Sequence, residues 1–128
     1  MDAKTIGYWV STGLFSLALG ASGIGYLSGA MNEALFALGY PLHFVYVLGT
    51  WKVLGAIALL VPAFPRVKEW AYAGFFFNLT GAAVAHASVP DAGWVPPLVL
   101  LAVLGVSYTL RPAALVPAFP TDGQPATA

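Results

Sequence analysis

Residues 43–62 read HFVYVLGTWKVLGAIALLVP, and Lys52 is the one formally charged side chain in that run. An α-helix rises about 1.5 Å per residue, so the run covers about 30 Å, the thickness of a bilayer's hydrocarbon core. It predicts a membrane-spanning helix that ends at Pro62, because proline cannot continue a helix. Three more runs of the same kind flank it, at 6–27, 70–87 and 95–111.

The whole chain has the composition these runs require. Of 128 residues, 59% are hydrophobic and 8% are charged, against about 25% charged in a soluble domain. Five basic and five acidic side chains cannot coat a water-facing surface of this size. In lipid, backbone polar groups must be satisfied within the segment, and strands would need alternating polarity and a closed barrel. The expected fold is all-α, an integral membrane four-helix bundle. A single transmembrane domain covers 1–112, and 113–128 is expected to be a short disordered tail. Ser28-Gly29-Ala30 offers small residues where a signal peptide could be cleaved, but the apolar run before it exceeds the 7–15 residues of a typical signal core. The first helix is therefore expected to be a retained anchor.

The charges that lie outside the runs set an orientation. Lys4, Arg66, Lys68 and Arg111 all fall on one side, while the two opposite connections carry Glu33 and Asp91. The positive-inside rule puts both termini in the cytoplasm. Prolines mark the ends: Pro41 before the second span, Pro62 and Pro65 after it, Pro96-Pro97 at the start of the fourth and Pro112 after it. A short surface helix is expected at 31–38. Val61-Pro62-Ala63-Phe64-Pro65 recurs as Val116-Pro117-Ala118-Phe119-Pro120, two proline-rich exits at one interface. Small residues repeat at helical spacing, with Gly13, Ser16, Gly20 and Gly23 on the first span and Gly74, Asn78, Gly81 and Ala85 on the third. Such stripes let helices approach closely in lipid, and they predict a tight bundle with little room for a large cofactor.

Chemistry needs polar groups, and few lie within the spans. Lys52 is about 15 Å of helix from either interface, too deep to snorkel. It must face the interior, as a hydrogen-bonded pin or as a contact for an anionic or carbonyl-bearing ligand. Asn78 and Ser16 lie at a similar depth, and an interhelical bond between Lys52 and Asn78 is expected. A second group belongs to the other side, where His43, His86, Glu33 and Asp91 share a level. No ligand-spacing motif joins these four, so hydrogen bonding is favoured over a metal or haem site. Cysteine is absent, which excludes disulfides, thiolate metal sites and dithiol relays. Zero net charge gives no footprint for nucleic acid. No serine nucleophile motif or phosphate loop is present.

Three stretches carry a family likeness. They are Leu38-Gly39-Tyr40-Pro41, the run from Leu48-Gly49-Thr50-Trp51-Lys52 through Leu60-Val61-Pro62, and Lys68-Glu69-Trp70-Ala71-Tyr72-Ala73-Gly74-Phe75-Phe76-Phe77-Asn78 leading on to His86. Together they resemble the DoxX-like family, small four-helix proteins of the bacterial inner membrane. The likeness extends from the first helix to Arg111-Pro112. The wider group includes a subunit of a thiosulfate:quinone oxidoreductase and proteins associated with redox-stress responses. By this resemblance Lys52 and His86 fall on positions that stand out in the family pattern. Family members often carry Asp where this chain has Asn78, and that departure removes an ion pair with Lys52.

The leading expectation is therefore an accessory or redox-associated subunit that binds a lipophilic molecule such as a quinone, contacted by Ser16, Trp51, Lys52, Asn78 and His86. Two alternatives stay open. One is an enzyme acting on a lipid-soluble substrate, with Lys52 as Schiff-base former or general base and His86 as proton shuttle. The other is a structural or assembly partner without catalysis. A second membrane or redox protein and a homo-oligomer are the expected kinds of protein partner.

Overall fold

The computed structural model describes residues 1–90 and 93–118. Among these the structure is all-helical, with five α-helices and a closing 3-10 turn. Helix α1 is Ala3–Ser28, α2 is Asn32–Ala37, α3 is Leu42–Leu60, α4 is Pro65–Ala87 and α5 is Val95–Thr109. Local chemistry sets most of the ends. Asp2 caps α1 by accepting a hydrogen bond from the Thr5 amide at 2.8 Å, and Gly29 closes it in the left-handed region at φ 85, the usual helix stop. The short helix expected at 31–38 is α2, which packs on α3 and buries Leu35.

Several boundaries differ from expectation: α1 begins at Ala3 rather than residue 6, α5 ends at Thr109 rather than residue 111, and two further shifts follow from proline. Helix α3 stops at Leu60 rather than Pro62 because the residue before a proline is pushed out of the helical region; Val61 sits at φ −71, ψ 127. Helix α4 begins at Pro65 rather than near residue 70, since proline is preorganised for a first turn. Arg66 and Lys68, expected in a connection, thus belong to α4. Between the two helices Phe64 is held at φ 58, a left-handed conformation that costs a non-glycine residue about 1–2 kcal/mol.

The four long helices pack in a ring: α1 against α3, α3 against α4, α4 against α5, and α5 back against α1. Phe15 and Leu19 of α1 meet Leu59 of α3, Tyr72, Phe75 and Leu79 of α4 and Leu104 of α5 in the core. Phe15 and Phe75 cross edge to face at 5.0 Å. Helix α1 buries small polar side chains beside Tyr8, Phe15 and Leu19 and leaves large apolar ones outside. Its buried face carries Ser11, Thr12 and Ser16, while Ile6, Val10, Leu14, Leu17 and Ile24 are exposed. In water that arrangement would leave a large apolar patch; in lipid it is the favourable one. Helices α1 and α3 are both long and apolar enough to cross a membrane, while α5 is shorter.

Part of the stretch from residue 113, expected to be disordered, has structure. Ala113–Leu115 forms the 3-10 turn, with Leu115 buried and the turn packed on α4. Asp91 and residues 119–128, which include the Phe119-Pro120 end of the repeated pentapeptide, lie outside the described residues.

Candidate functional site

The small-residue stripes do two different things. Between α1 and α3 they close the interface. A Cβ added at Gly23 would lie 2.9 Å from the Gly49 carbonyl oxygen, and one at Gly20 would lie 3.4 Å from Ala56 Cβ. Between α3 and α4 they leave space, because Gly74 and Gly81 have nothing within 4 Å of where a Cβ would stand. The two helices meet where the Phe75 ring fills the room at Gly55 and where Lys68 reaches across to the end of α3. Beside those contacts a groove of about 540 Å³ lies between them. The expectation of little room for a large ligand is corrected here: glycines facing no opposing helix make a recess rather than a seam.

The groove gathers three of the five expected ligand contacts. Trp51, Lys52 and Asn78 all line it, among apolar and aromatic neighbours that include Trp70 and Phe75. Lys52 is 7% exposed. Its Nζ donates to Ser22 Oγ of α1 at 3.0 Å and stands 3.9 Å from the centre of the Tyr26 ring. That is a cation–π contact, which gains strength where water is excluded. The expected bond from Lys52 to Asn78 is not formed. Asn78 Oδ1 is buried without a hydrogen-bond partner, and so is Ser16 Oγ. Ser16 and His86 are not part of the groove lining. His86 packs instead at the far end of α4, where its ring occupies the space a side chain at Gly93 would need.

His43 and Glu33 are exposed, Asp91 lies outside the described residues, and no group of three or more potential metal ligands forms among the described residues.

Two charged residues whose roles the sequence did not reveal are buried at the opposite end. Lys68 is fully buried and donates to the Ala58 and Leu59 carbonyls at 2.7 and 2.9 Å. It thereby satisfies acceptors that a helix C-terminus leaves unpaired, next to the negative end of the α3 dipole. Arg111 pairs with Glu69, donates to the Tyr108 carbonyl at 2.8 Å and lies 3.8 Å from the Tyr108 ring centre. Deeper in, Ser107 of α5 bonds Thr12 of α1 at 2.6 Å and Tyr72 of α4 at 2.8 Å. Three helices are tied through one hydroxyl. These contacts lock the end where α1 and α4 begin and α5 finishes.

Apolar helices with their polar side chains turned inward, and a groove whose walls are aromatic and aliphatic, point to a helical membrane protein. The comparison of sequences gives the family: the chain belongs to the DoxX-like family, whose model matches residues 10–108. No curated protein and no solved structure matches.

Proposed function

We propose that this protein is a multi-pass component of the bacterial inner membrane, a four-helix bundle of α1, α3, α4 and α5 with both termini in the cytoplasm. In this reading it serves as an accessory or redox-associated subunit that holds a lipophilic molecule, a quinone, in the groove between α3 and α4. One observation carries the reading: a buried lysine at mid-helix borders an apolar groove large enough for a ring and part of its tail. A charge at that depth is costly, and intramembrane ionisable residues mark ligand or ion sites by default. Trp51, 67% exposed, and Trp70, 81% exposed, supply flat surfaces for a ring, and Lys52 supplies a donor to a carbonyl. The placement of Lys4, Arg66, Lys68 and Arg111 supports the orientation.

The test is binding of decylubiquinone to the full-length protein in lipid nanodiscs. Saturable binding is expected, weakened by Lys52→Met and by Trp51→Ala; binding unchanged in both variants overturns the site. A reporter fused after Ala128 is expected to read as cytoplasmic. A second reading, an assembly partner without a small ligand, draws on Gly74 and Gly81 facing open space, where a helix of another protein could pack. A membrane protein that co-purifies stoichiometrically with the wild type, and is lost on Gly74→Leu, would favour it.

A further inference from the structure

A second recess, of about 380 Å³, lies between α4 and α5. Ala73 and Phe76 of α4 face Leu101 and Gly105 of α5 across it, and nothing stands within 4 Å of where a Cβ of Gly105 would be. Phe76 is exposed, so the recess opens on the outer surface of the bundle. Its polar groups are gathered at one end, where α4 begins and α5 finishes and where Glu69 and Tyr108 belong to the lining. From Glu69 to Phe76 is about 10 Å of helix, room for part of an acyl chain.

The charge at that end is uneven. Glu69 is already matched, because Arg111 pairs with it and the Tyr108 hydroxyl donates to its other oxygen at 3.1 Å. Arg66 precedes Glu69 by three residues on α4. Residues three and four apart are neighbours on a helix surface, so Arg66, Glu69, Ala73 and Phe76 share one face, the face that walls the recess. Arg66 is exposed and makes no ion pair among the described residues. An apolar slot with an unmatched guanidinium one turn beyond its polar end follows the order of a phospholipid, chain first and phosphate beyond it. A guanidinium binds phosphate through parallel N–H···O bonds.

We propose that the recess between α4 and α5 holds one anionic phospholipid, phosphatidylglycerol, with an acyl chain against Phe76, Leu101 and Gly105 and its phosphate on Arg66. Charge decides the choice of headgroup. Phosphatidylglycerol carries one net negative charge for the one unmatched cation. Phosphatidylcholine brings the same phosphate with a cation of its own, which offsets the attraction. One basic side chain near a membrane surface favours anionic lipid by about fivefold. The site is separate from the groove between α3 and α4 and does not depend on what binds there.

Full-length protein in detergent micelles is titrated with phosphatidylglycerol or phosphatidylcholine of identical acyl chains, and native mass spectrometry counts the lipid retained. Identical chains cancel the contribution of apolar burial. The first phosphatidylglycerol is expected to bind about fivefold tighter, and Arg66→Gln is expected to bring the ratio close to one. Lys4→Gln removes a basic residue from α1 at the same end of the bundle and is expected to leave the ratio unchanged. Gly105→Leu fills the recess and should weaken both lipids alike, with circular dichroism confirming that each variant folds. Equal binding of the two lipids by the wild type overturns the inference. So does an equal loss in Lys4→Gln and Arg66→Gln, which would assign the preference to the charge of the whole end. Lipid binding unchanged in Gly105→Leu overturns it as well, and a co-purifying membrane protein lost on that change would give the recess to a partner's helix.

Discussion

Gly23→Ala adds a single methyl group at the closest approach of α1 and α3. The new Cβ would lie 2.9 Å from the Gly49 carbonyl oxygen, from Lys52 Cβ and from Val53 Cγ2. Carbon atoms in contact ordinarily sit at about 3.5–4.0 Å, so the helices must separate by roughly 0.5–1 Å, and a gap of that size forfeits a quarter to a half of each dispersion contact it opens. One of the three neighbours is backbone, which cannot rotate away. Overpacking of this kind costs about 1–3 kcal/mol, and the better helix propensity of alanine offsets up to about 1 kcal/mol of it. A net loss of about 1–2 kcal/mol is expected. Gly13→Ala is the control, because nothing lies within 4 Å of its added Cβ; it should be neutral or slightly stabilising. Unfolding in mixed micelles by graded addition of sodium dodecyl sulfate, followed by circular dichroism, measures both. If Gly23→Ala is as stable as Gly13→Ala, close backbone packing is not what holds α1 to α3.

Three further outcomes follow from the other end of the molecule and from the first cap. Ser107→Ala leaves the hydroxyls of Thr12 and Tyr72 without the partner they share, and should cost about 0.6–2 kcal/mol in the same unfolding assay; a Thr12→Val, Ser107→Ala pair should cost less than the sum of the single changes. Lys68→Met removes both donors to the last turn of α3, so a loss of about 1–3 kcal/mol is expected, together with faster amide exchange in that turn but not in α5. Asp2 accepts from Thr5, which lowers its carboxyl from the ordinary 3.8. A carboxylate shifted down contributes its stabilisation above its unfolded value and loses it as pH falls through the folded one. The first turn of α1 should therefore fray in acid, seen as faster Thr5 amide exchange, and Asp2→Asn, which keeps an accepting oxygen, should remove that pH dependence.

How much of the site was legible depended on which coordinate mattered. Depth along a helix can be counted from the sequence, and Lys52, Asn78 and Trp51 line one groove. Direction around the helix cannot be counted in the same way. Lys52 was expected to reach Asn78, with Ser16 alongside, but it bonds Ser22 and faces Tyr26. Ser22 lies six residues beyond Ser16, about 9 Å along α1, and the register is set where Gly20 meets Ala56 and Gly23 meets Gly49. The small-residue spacing was the signal that could have given this register, had the stripes been paired rather than read singly. Lys68 and Arg111 were read only as charges that fix topology, because nothing in their immediate sequence indicates that one caps α3 and the other pairs with Glu69.

The sequence by itself determined the class of protein and, to within a few residues, most of the places where helices start and stop. Lipid admits no unsatisfied backbone, so long apolar runs dictate helices, and proline, glycine and a capping aspartate act within a few residues of where they stand. Only the tertiary structure decided which glycines form a seam and which a recess, which hydroxyl holds Lys52, and that a groove opens between α3 and α4. Those outcomes depend on how whole helices cross, a property of paired surfaces that no single segment carries.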